Sequence, residues 1–323
     1  MDYSFASRGS TPDSQVGELK ITAKCVADNE TLKEHIWSAL DRGLPEFAPA
    51  QAVTAKEVVI VCSGPSIKSQ IKKIKKLARK GHFIMAVKGG HDFLLEHGIT
   101  PHVAIAVDPR EYITKYFSQK KKGIKYLIAS QCHPAMFDFL SEQDVVLWHL
   151  LCGSCKTALE ERNVKRIMVG GGSTSGGRAL VLAHMMGFRK CHIFGMDSCL
   201  RSRSGKVIRS LDEFVESDAI LKVNGDLVKD SDSMTNAELV KSNKVVNLEV
   251  GGKAYVCDLQ MAAQVDEFQK ILPMLSGFTV KSYGDGIITR IIDERRSQGC
   301  GQCRLHNEPW ETKHDLPSYA QIP

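Results

Sequence analysis

Residues 57–108 read EVVIVCSGPSIKSQIKKIKKLARKGHFIMAVKGGHDFLLEHGITPHVAIAVD, and their alternation decides the fold. Apolar runs rich in β-branched residues (EVVIVC, FIMAV, VAIAVD) are separated by segments with helical spacing (PSIKSQIKKIKKLARKG, HDFLLEHG). Strands that are apolar on both faces and alternate with helices build a parallel sheet covered on either side by crossover helices. Downstream, KYLIAS, VVLWHL, RIMVGG and CHIFGMD continue the pattern to about seven core strands. The fold class expected is α/β, a doubly wound, mostly parallel sheet.

Around this centre the chain divides into three parts. Residues 1–50 form an N-terminal arm and helical appendage. Its first 15 residues are loose, LKITAKCV makes a short strand, and Asp28 or Asn29 caps a helix closed by Gly43 and Pro45. Residues 51–290 form the main domain. Within it, residues 201–243 are polar and weakly periodic, which marks a candidate lid or insertion. VVNLEV and KAYVCD flank Gly251-Gly252 as a hairpin with a tight turn, and a final helix buries Leu259, Ala262, Ala263, Phe268, Ile271, Leu272 and Leu275. FTVKSYGDG closes the core as strand and loop, and residues 291–323 are a peripheral tail.

The 323 residues are 43% hydrophobic and 25% charged, which excludes collagenous, low-complexity and wholly disordered classes. Net charge is 43 − 37 = +6, too small a surplus for a dedicated nucleic-acid binder but favourable to an anionic ligand. The lysines of the segment after Ser66 (Lys68, Lys72, Lys73, Lys75, Lys76, Lys80) fall mostly off its apolar stripe and read as a solvated face. No apolar run approaches the ~18 residues of a membrane span, and the polar start carries Asp2 and Arg8, so a cytoplasmic location and no membrane partner are expected. Of ten cysteines, Cys62, Cys191 and Cys257 sit singly in apolar runs as small hydrophobes, so no disulfide framework is expected.

Two glycine loops carry the chemistry. After the first strand, Ser63-Gly64-Pro65-Ser66 turns into a helix. Pro65 suits a first helical turn, Ser63 can cap, and Gly64 lets backbone approach a ligand, while free amides at the helix start attract phosphate. Neither GxGxxG nor GxxxxGK[ST] is present there. The second loop, with Gly170, Gly171, Gly172, Ser173, Thr174, Ser175, Gly176 and Gly177, suggests close backbone packing or an anion cradle. Arg178-Ala179 stands where a P-loop needs Lys-[Ser/Thr], and Thr174 stands where a nucleophile elbow needs serine. Asp108 and Asp197 directly follow buried strands, where open parallel sheets place ligands.

GPSIK after a strand, KGGHDFLLEHGITPHVAIAVDPRE, ASQCHPAMFDFL, GGGSTSGGRALVLAHMMGFRKCHIFGMDS and KSYGDGII together resemble the MptE-like family over residues 50–290. That family includes 6-hydroxymethylpterin diphosphokinases, motility accessory factors and phage or prophage members, and is similar in fold to sialyltransferases that use CMP-sugars. The resemblance implies a Rossmann-like fold. It also implies nucleotide phosphate or ribose at Ser63, Gly64, Pro65 and Ser66, with Asp108 central in a cleft lined by Gly171, Gly172 and Ser173. Asp197 and Ser198 would face the same crevice, and Asp285 is a further carry-over. Lys88-Gly89-Gly90 departs from the family's usual asparagine and small residue, and puts a lysine where phosphate can meet it.

The function expected is a nucleotide- or nucleotide-sugar-dependent transferase of glycosyl or diphosphoryl groups. Asp108 and Asp197 are its catalytic candidates, holding Mg²⁺ or orienting an acceptor of unknown identity, and Lys88 and Arg110 neutralise charge. The alternative is a non-catalytic binding or assembly protein, such as a phage component, that keeps the fold; a homo-oligomer fits either reading. Cys152-Gly-Ser-Cys155 and Cys300-Gly-Gln-Cys303, the latter followed by His306 and His314, have zinc-like spacing. The two pairs read chiefly as chance thiols, with structural Zn²⁺ as the minor reading.

Overall fold

In the computed structural model the quoted runs are parallel strands with helices between them. The structure describes residues 13–16, 19–22, 27–219, 222–223, 226–227 and 234–297. The strands of the main domain are β1 (Val58–Val61), β2 (Phe83–Val87), β3 (Val103–Ala106), β4 (Lys125–Ala129), β5 (Asp144–Leu150), β6 (Met168–Val169) and β7 (Lys190–Phe194). An antiparallel hairpin of β8 (Val245–Val250) and β9 (Lys253–Asp258) follows, then β10 (Thr279–Tyr283). Eight of them form one sheet in the order β10-β7-β1-β2-β3-β4-β5-β6, with every neighbouring pair parallel. These are the seven runs read from sequence plus Thr279–Tyr283, which joins beside β7.

The helices are α1 (Asn29–Leu40), α2 (Ile67–Arg79), α3 (Gly90–Glu96), α4 (Pro134–Phe139), α5 (Gly153–Glu161), α6 (Ser175–Met185), α7 (Leu211–Glu216), α8 (Asn236–Lys241), α9 (Leu259–Ile271) and α10 (Ile287–Ser297). Every residue of β1 and β3 is buried. Each such Val or Ile contributes about 1.5–3 kcal/mol, so the covered sheet is the core. From β1 the chain winds outward to β6, then returns to the other side of β1 as β7. The strand order therefore reverses between β1 and β7, and a ligand crevice belongs at the carboxyl ends of these strands.

Three segments differ from the sequence reading. The helix at Asn29 is capped by Asp28, whose Oδ1 accepts from Thr31 N at 2.8 Å. Its Leu32, Ile36 and Ala39 are buried, and Phe47 N donates to Leu147 O at 2.7 Å, so residues 27–50 join the main sheet rather than standing apart. Asp13–Val16 also pairs antiparallel with Leu19–Thr22, extending the expected short strand into a hairpin. In the polar insertion, residues 201–219 and 234–243 fold onto the β8–β9 hairpin around Leu200, Ile208, Phe214, Ala219, Leu239, Val245 and Val256. Its helices, α7 and α8, have six residues each and bury one residue apiece, Phe214 and Leu239, too few to give a periodic signal. The expected tail boundary at residue 291 falls inside α10, whose Ile287, Ile288, Ile291 and Ile292 are buried. Among the described residues no helix is long and apolar enough to cross a membrane.

Candidate functional site

The first glycine loop is shaped by a carboxylate of the chain itself. Ser66, not Ser63, holds the N-cap position of α2, and Ser63 is exposed. Ser66 N donates to Asp197 Oδ2 at 2.9 Å and Ser66 Oγ donates to Asp197 Oδ1 at 2.5 Å. Gly64 N donates to Gly195 O at 2.9 Å. A Cβ on Gly64 would lie 2.4 Å from Gly195 O and 2.9 Å from Asp197 Oδ2, so the close approach that glycine permits is that of the β7 loop. Of the amides expected to meet phosphate, that of Ser66 is occupied by Asp197, an anion at a helix N-terminus as the helix dipole favours, and that of Gly64 by Gly195 O.

Asp197 is itself held from two sides. Arg201, whose side chain is 6% exposed, places Nε 3.5 Å from Asp197 Oδ2 and donates through Nη2 to Asp285. Burial pushes the Asp285 carboxyl up, and the hydrogen bond and charge of Arg201 more than reverse this. Ile287 N donates to Asp197 O at 2.9 Å, tying the start of α10 to the same loop. Ser63–Ser66, Asp197 and Asp285 therefore converge, joined by Arg201, which the sequence reading missed.

The second glycine loop carries the same device. Ser173 N donates to both carboxylate oxygens of Glu267 at 2.9 Å, and Ser173 Oγ donates to Oε2 at 2.9 Å. Burial raises the Glu267 carboxyl against those bonds. Gly171 and Gly172 adopt φ +117° and +79°, and a Cβ on Gly172 would meet Glu267 Oε2 at 2.5 Å. Close backbone packing, the first of the two options read from the loop, accounts for these glycines. Ser198 Oγ donates to Gln264 Oε1 at 2.7 Å and Gln264 Nε2 to Thr174 Oγ1 at 2.9 Å, linking the β7 loop to the start of α6.

Cationic character sits beside the first loop, at the ends of β2 and β3. Lys88 Nζ donates to Asp108 Oδ2 at 2.9 Å. Arg110 grips the same carboxylate with both prongs, Nε to Oδ1 at 2.9 Å and Nη2 to Oδ2 at 2.7 Å. Asp108 is 8% exposed, whereas the lysine and arginine side chains are 26% and 22% exposed, so two accessible cations share one sunken acid. A Cβ on Gly89 would lie 3.3 Å from Ser63 Cβ and 3.4 Å from Tyr116 Cδ1, which places the turn after Lys88 against the first loop. Lys88 and Ser198 hold φ of 49° and 51°, a left-handed conformation uncommon outside glycine and asparagine. Both lie at the carboxyl edge, where backbone strain of this kind collects at binding sites.

Burial pushes the Asp108 carboxyl up, but the Arg110 hydrogen bonds and the Lys88 charge overcome it and hold the group at about 2. A carboxylate that acidic is a poor general base at neutral pH, and its bonds hold Lys88 and Arg110 side by side. Its depressed value stabilises the fold fully above the unfolded-state value near ~4, and this stability is lost as pH falls toward 2. We expect the wild type to exceed Asp108→Asn by about 2 kcal/mol at pH 6, with the gap closing below pH ~4 in urea melts.

Asp108 and Asp197 lie three strand steps apart, at the ends of β3 and β7. At ~4.8 Å per step their strand ends are about 14 Å apart, so one Mg²⁺ held by both acids does not fit this sheet. Cys152 caps α5, and the Cys155 thiol in its first turn is pushed up to about 12 by burial, which leaves it a thiol. Cys300, Cys303, His306 and His314 lie outside the described residues.

A doubly wound parallel sheet with polar and charged loops gathered at its carboxyl edge defines a Rossmann-like α/β protein. The model of the family described as 6-hydroxymethylpterin diphosphokinase MptE-like matches residues 34–203, and the chain belongs to that family. The fold is also that of the MAf glycosyltransferase from Magnetospirillum magneticum AMB-1, with a TM-score of 0.56 at 16% identity. The match covers 83% of this chain and 38% of that one. No curated protein matches the chain.

Proposed function

We propose that this chain is a nucleotide- or nucleotide-sugar-dependent transferase, moving a glycosyl or diphosphoryl group, whose donor phosphates lie beside the Ser63-Gly64-Pro65-Ser66 loop on Lys88 and Arg110. Membership of the MptE-like family and the fold shared with a glycosyltransferase support transferase chemistry. The observation that carries the site is the convergence of Lys88 and Arg110 on the single carboxylate of Asp108 in the crevice. Lys88 Nζ makes one bond to Asp108 and keeps donors that a phosphate oxygen can accept from, and the pair's net surplus of one positive charge is offered on a scaffold held by β2 and β3. Either transfer develops negative charge on the leaving phosphate. Fixed cations that need no reorganisation stabilise such charge most. Asp197 positions the first loop, and Asp108 keeps the two cations aligned.

A second reading has its own support. Both glycine-loop cradles are filled by the chain's carboxylates, Asp197 in the first and Glu267 in the second, which suits a binding or assembly protein that keeps the fold without turnover. Thermal melts with CMP, a UDP-sugar, ATP and GTP, each with and without Mg²⁺, separate the two. A donor at about 100 times its Kd should stabilise the fold by ~2.7 kcal/mol and raise the midpoint by several degrees. A midpoint that no nucleotide moves supports assembly.

A further inference from the structure

We infer that Glu57, His82 and His192 form a binding site for a divalent transition-metal ion of the zinc class, at the edge of the sheet opposite the crevice. Glu57 directly precedes β1, His82 directly precedes β2, and His192 lies in β7, so the three come from adjacent strands. One ligand atom from each lies within 4.8 Å of the others. His192 Nε2 is 2.7 Å from Glu57 Oε2. Tetrahedral zinc, with bonds of ~2.0–2.1 Å, separates its ligand atoms by about 3.3 Å. The observed spacing brackets that value, and small side-chain rotations close it.

The surroundings of His192 fit ligation. Metal-bound histidines hold their second nitrogen on an outer partner, and His192 Nδ1 lies 2.8 Å from Tyr283 OH. With metal on Nε2, the ring proton sits on Nδ1 and is donated to the tyrosine oxygen. Tyr283 is fixed in turn, its ring stacked on Phe194 at 4.5 Å between centroids and 6° between planes. A cleft of about 540 Å³ is lined by the three ligands and Tyr283 together with Lys73, Leu77, Lys80 and Lys281.

Chemistry decides which ion. Two imidazoles and one carboxylate suit zinc, cobalt or nickel. Mg²⁺ and Ca²⁺ need a shell of oxygen ligands, which two imidazoles and one carboxylate do not supply. The lysines lining the cleft make an anion such as phosphate or hydroxide the natural fourth ligand.

The test is a Co²⁺ titration of the full chain carrying Cys300→Ser and Cys303→Ser, followed by visible absorption. We expect one equivalent to bind with the intense d–d bands of four-coordinate cobalt, no thiolate charge-transfer band, displacement by Zn²⁺ and none by excess Mg²⁺. Tyr283→Phe should weaken affinity by about 10- to 100-fold. His82→Ala should weaken it at least as much, with far-ultraviolet circular dichroism confirming that each variant is folded. Failure of the parent chain to bind one equivalent, a thiolate band, displacement by Mg²⁺, or undiminished affinity in folded His82→Ala would each overturn the site.

Discussion

Asp197→Ala is expected to lose about 3–5 kcal/mol of stability, the largest effect of any single substitution at the carboxyl edge. The side chain accepts from Ser66 N and Ser66 Oγ and faces Arg201 Nε at 3.5 Å, all in a buried setting. Removing it strands a buried amide, a hydroxyl and one side of a buried guanidinium. It also removes the side-chain link between the β1 and β7 loops and leaves the backbone bond from Gly64 N to Gly195 O. Asp197→Asn keeps an acceptor for the Ser66 amide and should lose less than the alanine variant. Urea melts read the difference; a cost below ~1 kcal/mol for alanine would mean that the two loops are held together by something else.

The second large effect concerns binding. Lys88→Ala and Arg110→Ala should each weaken donor affinity by about 10- to 100-fold, because a charge-assisted hydrogen bond is worth about 1.5–3 kcal/mol. Arg110→Lys retains charge but loses the two-pronged geometry, so it should fall between wild type and alanine. Isothermal titration with whichever nucleotide shifts the melt measures this directly. Equal affinity in all three variants would remove the phosphates from this pair.

Much of the fold was legible because a parallel sheet writes itself as repeated apolar runs. The first glycine loop, the second glycine loop and the two strand-end aspartates were each visible by position, since a strand end is a local property. What each of them touches was not. Asp197 meets Ser66 across 131 positions and Glu267 meets Ser173 across 94, so a loop that reads as a phosphate cradle gives no local sign that a distant acid fills it. Glu267 did carry a trace, since it falls on the buried stripe of α9 between Ala263 and Ile271. A charge on an apolar stripe demands a partner. The pairs Ile287-Ile288 and Ile291-Ile292 likewise mark one helix face, which a boundary at residue 291 cuts in two. Arg201 had no such trace, because it stands in a polar stretch where arginine is unremarked. Lys88 and Arg110 were named as cations near Asp108, but the clamp they form depends on the register of β2 against β3.

A crystal structure of the chain with the nucleotide that shifts its melting midpoint tests the central claim most directly. The account predicts phosphate oxygens within about 3 Å of Lys88 Nζ and the Arg110 guanidinium, with Asp197 still bonded to Ser66. Phosphate seated on the Ser66 amide with Asp197 displaced, or a nucleotide bound away from the ends of β2 and β3, would contradict it.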